Sequence, residues 1–168
     1  MMLEIDIDSD EEWDSSTDWS LLARRAAESA LAESAFPQLA DGARPVEISV
    51  RLTGDEQVRA LNAQWRGKDK ATNVLSFPLA EAAELDQAGA EGRELMLGDI
   101  VLARGVCERE AAERAVPMET HAAHLLVHGT LHLLGYDHHD DEDAADMEGR
   151  EVRALARLGL GDPYAGDR

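Results

Sequence analysis

The sequence predicts an α+β fold, with a small mixed sheet of about four strands and helices packed on it. Three observations predict it. Residues 3–8 and 46–52 alternate apolar and polar side chains, the period of a half-buried strand. Ala- and Leu-rich stretches of helical character separate the strand-like segments. Beyond residue 104 the chain turns wholly helical, so the order of elements is βα, βα, β, β and then three helices.

The elements follow in order. LEIDID at 3–8 reads as the first strand and 10–16 as a solvated acidic loop. Asp18 or Ser20 can cap a helix that runs to about Phe36 and is stopped by Pro37, with a loop over 40–45. VEISVRL at 46–52 is the cleanest strand. Thr53 is expected to cap the next helix, which ends at Gly67. Residues 73–77 form a short strand closed by Pro78, 80–93 an exposed loop, and 97–103 another strand. A helix is expected near 105–115. A second starts at Pro117, whose fixed φ suits a first turn, and runs to Leu134, with Gly135 as terminator. The last helix spans 142–158 after an acidic loop.

A chain of 168 residues suits one domain, 1–168, with the acidic region 1–18 partly flexible. Apolar residues make up 44% and charged residues 30%, the balance of a soluble globular protein. No apolar run reaches the roughly 18 residues of a membrane span. The acidic N-terminus is unlike a secretory signal, so a cytoplasmic location with no membrane partner is expected. Cys107 stands alone and reads as a small buried thiol. A net charge of −19 excludes a protein that coats nucleic acid by general electrostatics. It leaves room for a local basic patch, because Arg59, Arg66, Lys68 and Lys70 face only Asp69 in their stretch.

All six histidines lie between positions 121 and 139. At about 100° per residue, His121, His124, His128 and His132 form one helical stripe. His128 and His132, four apart, can aim their imidazoles at a common centre. Gly135 breaks the helix and lets His138 return as a third ligand. Three neutral imidazoles with an open fourth position make a catalytic zinc site. A structural zinc usually closes that position with protein, often cysteine. Histidines that merely fill an amphipathic helix would not need the third one beyond the glycine. Zinc proteases of the H-E-x-x-H type share the spacing but carry a glutamate next to the first ligand. Here that position is Gly129, so their general base is missing.

These residues carry a resemblance. METHAAHLLVHGTLHLLGYDH at 118–138 resembles the zinc signature H-G-x-L-H-L-x-G-Y-D-H of the YbeY family. LNAQWRGKDKATNVLSFP at 61–78 resembles the family's second hallmark, L-N-x-x-x-R followed by T-D-V-L-S-F-P, with Asn73 in place of the usual Asp. LGDI at 97–100 and GDPY at 161–164 are similar as well. The resemblance covers about 46–164, and the first forty-five residues fit loosely.

It implies a single-strand-preferring, zinc-dependent endoribonuclease. Such enzymes act in maturation of small-subunit ribosomal RNA and in ribosome quality control. The implied partners are ribosomal RNA and the small ribosomal subunit, with a ribosomal protein or an assembly GTPase as a further candidate. The resemblance implies one zinc ion per chain on His128, His132 and His138, with Arg66 the essential arginine near it. Arg66, a fork-shaped cation, would grip a phosphate oxygen, and Lys68 and Lys70 would help to bind the substrate.

Plainer roles stay open for several residues. The Arg66, Lys68 and Lys70 cluster also suits a solvated helix end. Asp137 can orient a metal-bound histidine or face solvent. His124, like His121, can tune the metal, touch substrate or stack in the helix core. Residues 140–146 read as a solvated loop and helix start. Two rival functions remain as well, a metallohydrolase on a non-RNA substrate and a ribosome-assembly binding factor with a structural zinc.

Overall fold

Alternation of apolar and polar residues builds the first two strands of the sheet. The computed structural model describes residues 3–10, 13–41, 44–86 and 94–165. Its strands are β1 (Leu3–Ser9), β2 (Val46–Thr53), β3 (Val74–Pro78) and β4 (Leu95–Ala103), in the order β1-β2-β4-β3. β1 and β4 both run parallel to β2, and β3 runs antiparallel to β4, which makes the sheet mixed as expected. Ile5 lies beside Ile48, and Val50 beside Ile100. One face of the sheet carries Leu3, Val46, Ile48, Val50, Leu52, Ile100 and Leu102 into the main core. The opposite face holds a smaller cluster, in which Val58 of the helix after β2 packs on Leu75, Val101 and Ala103. Glu4, Asp6 and Asp8 are exposed along the edge strand β1, where charge discourages pairing with another chain.

The helices are α1 (Trp19–Ala32), α2 (Gln38–Asp41), α3 (Asp55–Arg66), α4 (Ala82–Asp86), α5 (Arg104–Arg114), α6 (Met118–Leu133) and α7 (Asp141–Arg157). α6 is the central one. Residues 121–127 are buried all round it, and it packs against α1, α5, α7, β3 and β4. A helix apolar on every side belongs in an interior, and this one carries histidines into it. α7 starts on Asp140, whose carboxylate accepts the Asp143 N–H at 2.7 Å. Asp141, Glu142 and Asp143 occupy its first turn, where the helix dipole favours negative charge. The acidic stretch therefore serves as a helix start.

Glu33 fastens α1 to α7. Its carboxylate accepts from Arg153 at 3.0 Å and Arg157 at 2.5 Å, and its carbonyl accepts from Arg150 at 2.6 Å. The hydrogen bond from Arg157, followed by burial and then Arg153, governs its acidity, and the net effect holds the Glu33 carboxyl below its ordinary value.

Several boundaries differ from the sequence reading, each for a local reason. α1 begins on Asp18, as one of the two expected caps, but ends at Ala32, short of Phe36. Ser34 ends it by donating to the Leu31 carbonyl at 2.7 Å and accepting the Phe36 N–H at 2.9 Å. Thr53 does not cap α3. It is held in the ladder opposite Ala103, and Gly54 takes the cap without a side-chain bond. Pro117 sits just outside α6, since its ψ of 153° is extended. The short helix α2 follows Pro37 and runs into the expected 40–45 loop, and α4 falls within the expected 80–93 loop; they bury Leu39 and Leu85. Residues 87–93 of the second stretch lie outside the described residues.

In the 10–16 loop Trp13 is buried. Its indole donates to the Thr53 carbonyl at 3.0 Å and its ring meets Trp19 edge-on at 5.1 Å. Cys107 is buried as expected, and burial pushes its thiol up to about 12. Among the described residues no helix is long and apolar enough to cross a membrane.

Candidate metal centre and active site

His128 and His132 lie one turn apart on α6, with their rings edge-on at 4.4 Å between centroids. Each has an acceptor at Nδ1. For His128 it is the Glu151 carboxylate at 2.5 Å, and for His132 the Tyr136 carbonyl at 2.8 Å. A carbonyl and a carboxylate only accept, so each neutral ring carries its proton on Nδ1. The two Nε2 atoms, which then hold lone pairs, face each other at 2.9 Å. Two lone pairs at that separation repel unless they share a cation, and imidazoles in this tautomer are metal ligands. Burial, and then the neighbouring His128, lower the pKa of His132, which keeps that ring neutral and able to coordinate.

The turn after α6 returns the third histidine. Gly135 has φ 99°, a left-handed conformation that a side chain resists. It lets the Tyr136 N–H reach the Leu131 carbonyl at 3.1 Å. The Tyr136 hydroxyl accepts the Ala35 N–H at 2.9 Å, and the Arg150 guanidinium lies over its ring at 4.8 Å. The exposed His138 ring then stands 5.4 Å from that of His128 and 5.8 Å from that of His132. Asp137 accepts the His138 backbone N–H at 2.8 Å and lies 3.3 Å from His139. It therefore acts on His138 through the main chain.

Behind His128 lies a residue the sequence reading missed. Glu151 of α7 is fully buried. Oε1 takes His128 Nδ1, while Oε2 takes His124 Nε2 at 3.1 Å and the Tyr164 hydroxyl. Burial opposes its charge, but the hydrogen bonds from His124, His128 and Tyr164 prevail. They hold the carboxyl down at about 2. Tyr164, half-buried against that carboxylate, is pushed well above the usual phenol range, by burial first and then by the Glu151 charge. His128, His138 and Glu151 can each place a ligand atom within 4.8 Å of the others, a group able to hold a metal ion. The signal for Glu151 was present in the sequence. Met147, Glu151, Ala154 and Leu155 form the buried stripe of α7, and an acid in an apolar stripe needs a partner.

Arg66 ends α3. It donates to the Ser76 carbonyl of β3 at 2.6 Å and lies over the Phe77 ring at 5.6 Å. β3 in turn packs against α6. Lys68 and Lys70 follow on the exposed turn, while Asp69 between them is engaged by Arg59 at 2.8 Å and 3.2 Å. Asn73 donates to Glu110 at 3.0 Å, and the same carboxylate oxygen lies 2.8 Å from buried His121. An amide can donate to that carboxylate, whereas the aspartate more usual there could only repel it.

Gly129 faces away from this centre. A Cβ on it would meet the Ile100 side chain of β4 at 3.1 Å, so any side chain there requires Ile100 to give way.

Comparison with known proteins decides the family. The family model described as Endoribonuclease YbeY matches residues 5–159. The chain belongs to the YbeY endoribonuclease family. A YbeY endoribonuclease of Rhizorhabdus wittichii is 50% identical over 165 residues, which cover 98% of both chains. One of Novosphingobium aromaticivorans is 52% identical over 166 residues, covering 98% of this chain and 96% of the relative. A solution structure from Thermotoga maritima shares the fold, with a TM-score of 0.54 at 24% identity over 93% of this chain and 92% of that one. Membership supports RNA as the substrate and phosphodiester cleavage as the reaction. The YbeY likeness starts at residue 5, so β1 and α1, which the sequence motifs matched only loosely, belong to it too.

Proposed function

We propose that the chain, as one domain over residues 1–168, is a single-strand-preferring, zinc-dependent endoribonuclease. Its work would be maturation of small-subunit ribosomal RNA and ribosome quality control in the cytoplasm. One zinc per chain would be held by His128, His132 and His138. The observation that carries the reading is the pair of Nε2 atoms facing at 2.9 Å with a third imidazole beside them. Imidazole ligands suit zinc, and an exposed His138 leaves the centre open to solvent, as catalysis requires.

When bound, zinc supplies Lewis acidity toward a phosphoryl oxygen. Arg66, with one donor on Ser76, keeps others free for a non-bridging phosphate oxygen, a task suited to its planar fork. Lys68 and Lys70 add a local cationic approach on an otherwise acidic protein, so that a polyanion is drawn to one side of it. A ribosomal protein or an assembly GTPase is a partner candidate that would bring the enzyme to its RNA. A peptidase reading is disfavoured because Gly129 stands where the glutamate base of such enzymes would be, tight against Ile100.

The test is incubation of purified, metal-quantified protein with unstructured and structured RNA beside a His128→Ala control. Cleavage of the unstructured RNA that disappears on chelation and in the control is the expected result. Undiminished cleavage by His128→Ala would overturn it.

A further inference from the structure

Glu151 admits two roles that exclude each other. As a ligand, it would share a metal with His128 and His138, and because Oε1 lies 2.5 Å from His128 Nδ1, the ion would sit at that edge of the ring. As a support, it would leave the metal to His128 Nε2, which lies on the other side of the ring and faces His132. One ion cannot use both edges of one imidazole. The hydrogen bonds decide between them. Both Glu151 oxygens are already taken, Oε1 by His128 Nδ1 at 2.5 Å, and Oε2 by His124 at 3.1 Å and by the Tyr164 hydroxyl. A metal on Oε1 would strip His128 Nδ1 of its acceptor and move the ring proton to Nε2, which would then donate to His132 and take His132 away from the ion.

We infer that Glu151 is a positioning carboxylate, anchored by Tyr164, which holds His128 with its proton on Nδ1 and aims Nε2 at the metal. This rests on the reading that His128 is a zinc ligand. Carboxylates that take the second ring N–H of a coordinating histidine fix its orientation and raise its basicity.

Tyr164 makes the chain's end part of this support. It comes 13 residues after Glu151, and the segment is tied down by Arg114, which donates to the Pro163 carbonyl at 2.8 Å. The Tyr164 N–H bonds Asp162 at 2.8 Å, and its ring stands edge-on to His124 at 5.4 Å. His124 thereby acts two steps from the metal, through Glu151. Metal affinity should therefore depend on a phenol hydroxyl that touches no ligand.

The test compares wild type with Glu151→Gln and Tyr164→Phe in three readouts that need no RNA. The first is zinc affinity by chelator competition. The second is the visible spectrum of the cobalt(II)-substituted protein, and the third the ¹⁵N NMR tautomer of His128 without metal. Glu151→Gln should weaken zinc roughly 10–100-fold, the usual effect of losing such a partner. Tyr164→Phe should weaken it less. Both should keep the wild-type cobalt spectrum, and His128 should lose its fixed Nδ1–H form in Glu151→Gln. A cobalt spectrum that changes in Glu151→Gln would show Glu151 to be a ligand and overturn the inference. So would zinc affinities equal to wild type in both variants. If Glu151→Gln does not fold, Tyr164→Phe decides alone, with unchanged affinity counting against the inference. Failure of RNA cleavage with all three results intact would sink the ribonuclease reading and leave the positioning role standing.

Discussion

His132 Nδ1 donates to the Tyr136 carbonyl four residues on, at 2.8 Å, so the turn that ends α6 also sets which ring nitrogen of His132 carries the proton. Gly135 makes that possible with φ 99°, and nothing lies within 4 Å of where its Cβ would be. Any cost of a side chain there is conformational. Gly135→Ala should lose about 1–3 kcal/mol of stability and weaken zinc, because relieving the strain moves the Tyr136 carbonyl. Urea unfolding of the metal-free protein and chelator competition check the two parts. Unchanged values in both would show the turn to be indifferent to φ.

Arg66→Lys should keep the fold and the zinc. It should lose roughly 10²–10³-fold in single-turnover RNA cleavage, as removal of a charge-stabilising donor does. Lysine can keep either the Ser76 carbonyl or a phosphate, whereas arginine can hold both. Wild-type cleavage in this variant would reduce Arg66 to a helix-end cation.

Gly129→Glu should not create a peptidase. The side chain would have to enter the space held by Ile100, 3.1 Å from the new Cβ, and bury a carboxylate beside the sheet. The loss should be several kcal/mol, enough to unfold a typical domain of marginal stability. A soluble variant with a wild-type melting temperature would contradict this packing.

Glu33→Gln should cost about 0.2–1 kcal/mol at neutral pH, since its arginine partners are half exposed. The carboxyl is held below its ordinary 4.5, so its contribution is complete above that value and fades as pH falls through the lower folded value. Unfolding curves of wild type and variant should converge below pH 4.5. A gap that stays constant into acid would mean the carboxylate contributes by packing alone.

Much of this was legible because the signals were periodic or chemical. Two of the four strands followed from alternation, the histidine stripe of α6 followed from its spacing, and Gly135 marked the turn that brings His138 back. The misses are local. α2 and α4 are too short to show a helical period, and each rests on one buried leucine. Thr53 reads as a cap by type, yet its pairing with Ala103 keeps it in the sheet, an effect visible only once the strands meet. Glu151 looked like one acid among many in α7. Only its place on the buried stripe, opposite two histidines from α6, sets it apart.

The Tyr136 clamp has a kinetic meaning. With its phenol on Ala35, its ring under Arg150 and its N–H on Leu131, the turn that carries His138 is shaped by α1, α6 and α7 before any ion arrives. Zinc fingers order their chain at the moment of capture and are unfolded without metal. Here the loss of chain entropy falls within folding itself, so on the proposed zinc reading capture of an ion would be left to ligand exchange at rings already in place. Loaded and empty protein would then differ in occupancy and hardly at all in shape.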